Sequence, residues 1–232
     1  MKLIAHRGAS GYHPENTLPA FRAALRLGAG ELECDLRQTK DGEIVMLHDP
    51  DLSRVAGWEA RIGDLDFKAR PDPGVAPRLA ELLAMLDGGV ELHLDIKQDD
   101  PPYPAFAERI LHAICVRPGW RENTTFSSND APILRAVRGL DERVRMGFQP
   151  GVLPLEDSLT VARELRAESL RLSHRRVTPE WVERIHAAGM EVFVYTIDDC
   201  RELDRMESLG VDRVFTDFPD LRKRCLQEQD AY

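Results

Sequence analysis

The sequence predicts an α/β fold, a closed (β/α)8 barrel with a short irregular cap inserted after the second strand. Three observations carry this. Short apolar or alternating runs recur at roughly 20 to 25 residues with amphipathic segments between them, the rhythm of βα units on a parallel sheet. Eight such runs are present, the number on which such a barrel closes. The length of 232 residues suits one barrel spanning 1–232 as a single domain. An open doubly wound sheet is the architectural alternative.

The first two strands are read at Lys2–Ala5 and Glu31–Leu36, and the third at Val90–Ile96. The others follow at Thr124–Ser127, Val144–Phe148, Ser169–Leu172, Glu191–Tyr195 and Arg213–Thr216. Helical periodicity is clearest over Thr17–Leu27, with Asn16 read as its cap, and over Pro104–Cys115 and Ala131–Arg138. It returns over Leu155–Arg166, Pro179–Ala188 and Cys200–Leu209. After the second strand, Lys40-Asp41-Gly42 and the run Glu43–Leu47 read as a hairpin that carries His48 back over the barrel mouth. The stretch 51–78 holds several Gly and Pro residues and little periodicity, so it reads as the cap, too short for a domain of its own.

Hydrophobic residues at 43% and charged residues at 31% are globular values. A formal charge of −9 leaves no broad basic face, which argues against nucleic acid as a partner. Cys34, Cys115, Cys200 and Cys225 show no C-x-x-C spacing and read as buried thiols in a reducing compartment rather than a disulfide framework. Met1–Ala5 runs straight into His6 without the apolar core of a signal peptide, and no run approaches membrane-spanning length. The expected location is the cytoplasm, with no stable membrane insertion. No heptad or long apolar stripe specifies an oligomer.

Residues i and i+2 of a strand share a face, so Glu33 and Asp35 point one way while Leu32, Cys34 and Leu36 point the other. The polar face belongs in the barrel lumen. Two carboxylates there repel each other and are costly to desolvate unless a cation compensates them. Asp95 and Lys97 repeat the parity at the end of the third strand, alongside a deeper His93. Glu33, Asp35 and Asp95 thus form a candidate site for one divalent cation, Mg²⁺ or Ca²⁺, since all the donors are oxygen. A metal-free ion-pair network is the alternative. Glu31 shares the parity but sits lower, as a structural residue.

His6 follows the first strand at the carboxyl-terminal rim, where barrel enzymes keep their chemistry, and His48 arrives from the hairpin. Two imidazoles can divide acid and base work across a phosphodiester because both titrate near neutrality. Arg7 offers a planar fork for phosphate oxygens, and Lys97 a second cation.

With these residues in place, the chain resembles the glycerophosphodiester phosphodiesterase family. The matching segments begin with His6-Arg7-Gly8, Pro14-Glu15-Asn16-Thr17, Glu33-Cys34-Asp35, Lys40-Asp41-Gly42 and His48-Asp49. They continue through Asp95-Ile96-Lys97, Val194-Tyr195-Thr196, Gly210-Val211-Asp212 and Thr216-Asp217-Phe218-Pro219, in the family's order. The resemblance implies a (β/α)8 barrel that hydrolyses small glycerophosphodiesters to glycerol 3-phosphate and an alcohol. It also implies a divalent cation on Glu33, Asp35 and Asp95, with His6 and His48 as general acid and base in an order the sequence leaves open. Glu15, Asn16, Asp49 and Tyr195 take supporting parts: Glu15 beside Arg7, Asp49 orienting an imidazole or loop, Tyr195 as a pocket wall.

Three departures stand out. Members of that family often carry Glu at the position of Asp95 and Trp at that of Tyr195, and their insertion is commonly longer than 51–78. A smaller cap implies a more open pocket and looser selection of the alcohol. Related lipid phosphodiesterases, acting on lysophospholipids or phosphoinositides, share the paired histidines and are the nearest alternative. A glycerol-phosphate-binding barrel without turnover is the second.

Overall fold

The computed structural model describes residues 1–86, 88–99, 102–103 and 105–229. Eight parallel strands form the barrel. The first four are Lys2–Ala5, Glu31–Gln38, Glu91–Ile96 and Thr124–Ser128. The last four are Arg145–Phe148, Ser169–Ser173, Glu191–Tyr195 and Arg213–Thr216. Each pairs with the next, and the first pairs with both the second and the eighth, so the sheet closes. The expected strands all form, with ends moved by a residue or two.

The alternation expected in the second strand holds along its length. Leu32, Cys34 and Leu36 are fully buried against the outer helices, together with Phe21, Phe106 and Leu134. Burying one such phenylalanine contributes roughly 1.5–3 kcal/mol. The opposite parity fills the lumen with polar groups, including Glu33, Asp35, His93, Asp95, Ser127 and Arg171. Parallel register sets Glu33 beside His93 and Asp35 beside Asp95.

The outer helices are Leu18–Arg26, Leu79–Met85, Phe106–Cys115 and Ala131–Leu140. They continue as Leu155–Leu165, Pro179–Ala187, Cys200–Ser208 and Leu221–Gln229. The proposed start of one helix at Pro104 lies outside the described residues. Leu79–Met85 and Leu221–Gln229 are additions to the sequence reading. Among the described residues no helix is long and apolar enough to cross a membrane.

Two expectations are corrected. Thr17, not Asn16, caps the first helix: its hydroxyl accepts from the Ala20 amide at 3.4 Å, while Asn16 takes a left-handed φ of 55° and turns its amide inward. Adjacent Asn and Thr are both good caps, and the buried carboxylate of Asp35 claims the asparagine. Cys200 and Cys225 form a disulfide between the last two helices, with Cα atoms 5.5 Å apart, so only Cys34 and Cys115 are free thiols. Their sequence separation of 25 conceals that both helices pack side by side.

The hairpin forms as expected, Ile44–Met46 lying antiparallel to the end of the second strand. The cap is more ordered than its composition suggests. Asp51–Leu52 pairs with Trp58–Arg61 around the short helix Ser53–Ala56, and Val45, Leu47, Leu52, Ile62 and Ala76 bury a small cluster beneath it.

Candidate active site

A pocket of about 210 Å³ opens at the carboxyl-terminal end of the barrel. His6, Arg7, Glu33, Asp35, His48, Asp95, Lys97 and Tyr195 all line it, so the structure brings together the residues read from five separate segments. Gln149, Arg171 and Phe215 complete the wall and were not foreseen.

Glu33, Asp35 and Asp95 are each buried, and one oxygen from each lies within 4.8 Å of the others. Their compensation is uneven. Lys97 Nζ contacts Asp95 and lies 3.2 Å from Asp35, and Arg7 Nε lies 2.9 Å from Asp35. Although burial alone disfavours its charge, Lys97 and Arg7 hold the Asp35 carboxyl well below the usual carboxylate range. Glu33 accepts the Arg7 amide at 3.0 Å and makes no ion pair within 4 Å among the described residues, the charges of His6 and Arg7 reaching it only from farther off. Burial and the nearby Asp35 therefore push its carboxyl up. Three converging oxygens with one under-compensated carboxylate fit a hard divalent cation, for which oxygen donors are the preferred set. The ion pairs from Lys97 and Arg7 are those of the alternative network, yet they leave Glu33 unmatched.

The first loop is shaped by its backbone. Arg7 adopts φ 56° and Gly8 φ 85°, left-handed values that aim the Arg7 amide at Glu33. A Cβ on Gly8 would lie 2.7 Å from the Ala20 carbonyl carbon, so only glycine fits against the start of the first helix. Arg7 Nη1 donates to Glu15 at 2.8 Å, the support expected of Glu15. Asn16 Nδ2 donates to Asp35 Oδ2 at 2.8 Å, and its Oδ1 accepts the Asp35 amide at 3.2 Å. Asn16 thus fixes a carboxylate rather than a helix.

Each histidine is backed by an aspartate. His6 Nδ1 lies 2.7 Å from Asp217 Oδ1, and His48 Nδ1 lies 2.7 Å from Asp49 Oδ1. Burial works against a charge on His6, but the bond to Asp217 and the field of Glu33 raise its pKa overall. For His48 burial wins despite the opposing field of Asp35, and its pKa is lowered. The two rings are thus shifted in opposite directions. The main chain of His48 is also clamped, because Arg37 Nε and Nη2 both donate to its carbonyl, at 2.9 and 2.7 Å.

Beneath the carboxylates the lumen continues as alternating charge. Arg171, 1% exposed, donates to Ser127 Oγ at 2.7 Å and lies 3.1 Å from His93 Nδ1. A Cβ on Gly147 would meet Arg171 Nε at 2.5 Å, so the glycine leaves the space that the guanidinium fills. At the foot, Glu31, Glu91 and His93 also converge. There Arg213 and Lys2 each lie 3.0 Å from Glu31, and Arg145 lies 3.6 Å from Glu91, so this second group is internally neutralised. The structural reading of Glu31 agrees with that.

Sequence parity could have found Arg37 and Arg171, which share the inward face of their strands. Asp217 was within a matched segment but had no role assigned. Trp58, the one tryptophan of the cap, is 37% exposed and does not line the pocket.

Comparison with known proteins bears on the family and the fold. A model of the Glycerophosphoryl diester phosphodiesterase family matches residues 6–221. A glycerophosphodiester phosphodiesterase of Caldanaerobacter subterraneus is 30% identical over 233 residues, 94% of each chain. The glycerophosphodiester phosphodiesterase structure from Thermotoga maritima superposes with a TM-score of 0.80 at 26% identity, over 96% of each chain. That of an Oleispira antarctica phosphodiesterase, solved with the product sn-glycerol-3-phosphate, shares the fold at a TM-score of 0.87 and 23% identity, over 98% of this chain and 97% of that one. Matched by the family model across most of its length, the chain belongs to the glycerophosphoryl diester phosphodiesterase family and is by that membership an enzyme.

Proposed function

We propose that the pocket hydrolyses small glycerophosphodiesters, such as glycerophosphocholine or glycerophosphoethanolamine, to glycerol 3-phosphate and an alcohol. The observation that carries this reading is the pair of imidazoles, each held through Nδ1 by an aspartate, in one pocket with three carboxylates and the cations Arg7, Lys97 and Arg171. With Nδ1 engaged, Nε2 is the ring atom left to exchange a proton with a reactant.

In this reading Arg7 and Lys97 bind the phosphodiester oxygens. His48, whose pKa is lowered, takes the proton from the attacking water or substrate hydroxyl. The new P–O bond forms as the bond to the departing alcohol breaks. His6, whose pKa is raised, delivers its proton to that alkoxide. A divalent cation, Mg²⁺ or Ca²⁺, held by Glu33, Asp35 and Asp95 would supply Lewis-acid neutralisation of the phosphoryl charge. Arg7 and Lys97, which contact Asp35 and Asp95 in the structure, would share those carboxylates with the cation and turn their remaining donors to the substrate. Tyr195 forms a side wall, and the compact cap supports loose selection of the alcohol.

A coupled glycerol 3-phosphate assay over a panel of diesters tests this, run with EDTA and then with Mg²⁺, Ca²⁺ or Mn²⁺ restored. Release that depends on the cation is the expected result. Hydrolysis of lysophosphatidylcholine in preference to glycerophosphocholine would overturn the substrate class, and binding of glycerol 3-phosphate without release from any diester would overturn catalysis.

A further inference from the structure

We propose that Arg54, contributed by the cap, is a positioning residue that locks the phosphate-binding Arg7 and the imidazole of His48 into one arrangement by gripping the carboxylates behind both. The inference rests on the reading of the pocket given above.

Arg54 sits in the short helix Ser53–Ala56, and its guanidinium divides its donors between two loops. Nη1 and Nη2 donate to the two oxygens of Glu15, at 2.6 and 2.8 Å. Nε donates to Asp49 Oδ2 at 2.5 Å. Glu15 Oε1 also accepts from Arg7, and Asp49 Oδ1 is the partner of His48 Nδ1. A continuous series of contacts therefore runs from Asp35 through Arg7, Glu15, Arg54 and Asp49 to His48. Glu15 and Asp49 are each shared between an inner partner and the same cap residue.

Arg54 does not line the catalytic pocket. It borders a neighbouring cavity of about 360 Å³ with Glu15, Asn16 and Asp217. Its influence must pass through Glu15 and Asp49, which makes it a positioning residue and not a catalytic one. The planar fork matters here, because two carboxylates at different bearings are satisfied at once, whereas a lysine ammonium is a single compact charge on a flexible stem. With the fork absent, Asp49 keeps only His48 and both can swing toward solvent, since the His48 side chain is 37% exposed. Seating of the cap and alignment of the two halves of the site then become one event.

The competing account is a solvent-exposed ion pair with no bearing on the reaction, as many surface pairs are. Three measurements on the full chain separate the two. Steady-state kinetics of Arg54→Met should show kcat reduced by roughly 10–100-fold, the scale of losses from misplaced groups, with KM moved less than about twofold. Arg54→Lys should not recover that loss, and Asp49→Asn combined with Arg54→Met should lose far less than the product of the single effects. Imidazole ¹⁵N NMR of Arg54→Met should move the His48 Nδ1 resonance and leave His186, paired with Asp212 on the far side, unchanged. Retention of wild-type kcat by a folded Arg54→Met, multiplicative losses with Asp49→Asn, or an unaltered His48 resonance would each overturn the proposal. The NMR arm needs no turnover, so failure of the proposed reaction and failure of this inference are told apart.

Discussion

His6 and Asp217 lie 211 positions apart in sequence, yet His6 Nδ1 and Asp217 Oδ1 are 2.7 Å from each other. The contact follows from closure of the barrel, which pairs Ala5 with Thr216 and so places the residues after the first and eighth strands side by side. Ser10 Oγ donates to the same carboxylate oxygen at 2.9 Å, and the Asp217 amide is held by Asp198 at 2.8 Å, so the aspartate is fixed before it orients the ring.

Asp217→Asn should lower kcat at least roughly tenfold, on the scale of positioning losses. It should also move a pH limb. Asp217 raises the His6 pKa, and an acid catalyst works below its pKa, so activity is lost as pH rises through that value. Removing the charge lowers the pKa, and the basic limb of kcat/KM should shift to lower pH. A limb that stays in place would assign it to another group.

His6→Ala and His48→Ala should each reduce kcat by roughly 10²–10⁴-fold, the usual range for losing a general acid or base. The lowered His48 pKa places the acid limb of wild type below the ordinary histidine value, because a base works only above its pKa. pH–rate profiles in wild type and the two variants check both statements, and an acid limb at or above the ordinary value would contradict the assignment of His48 as base.

Cation binding should release protons and tighten as pH rises. The sign follows from Glu33: its raised pKa keeps it partly protonated, and a cation must displace that proton. Isothermal titration of Mg²⁺ or Ca²⁺ in buffers of different ionisation enthalpy measures the release. Glu33→Gln should abolish it and weaken binding by well over tenfold on the scale of losing a charged ligand.

Loss of the Cys200–Cys225 bridge should destabilise the fold by about 3 kcal/mol, the effect of closing a loop of this length. Urea unfolding of the Cys200→Ser, Cys225→Ser variant against oxidised wild type gives the difference, and reduced wild type should match the variant. Alkylation of the protein in intact cells reports which form is present where the enzyme works.

The barrel was legible because parity and strand spacing are local, and the register that sets Asp35 beside Asp95 follows from both strands starting at the same height, with Glu31 opposite Glu91. That the seven residues expected to serve catalysis, phosphate and metal would meet in one pocket was legible for the same reason: each lies on the inward face of a strand, just past a strand's end or beside the hairpin. Arg54 was hidden because the cap has no periodicity from which to infer its direction. Asp217 follows the last paired residue, where parity stops. Arg171 reads as one polar residue in an alternating strand, and only closure of the cylinder brings it under Ser127. Asn16 and Thr17 were exchanged because both suit a helix start, and the choice was made by a carboxylate 19 residues away.

The pairing of the first strand with the eighth also has a temporal consequence. Until the eighth strand docks beside the first, the His6 ring lacks the acceptor that orients it, so closing the cylinder and fixing that imidazole happen together.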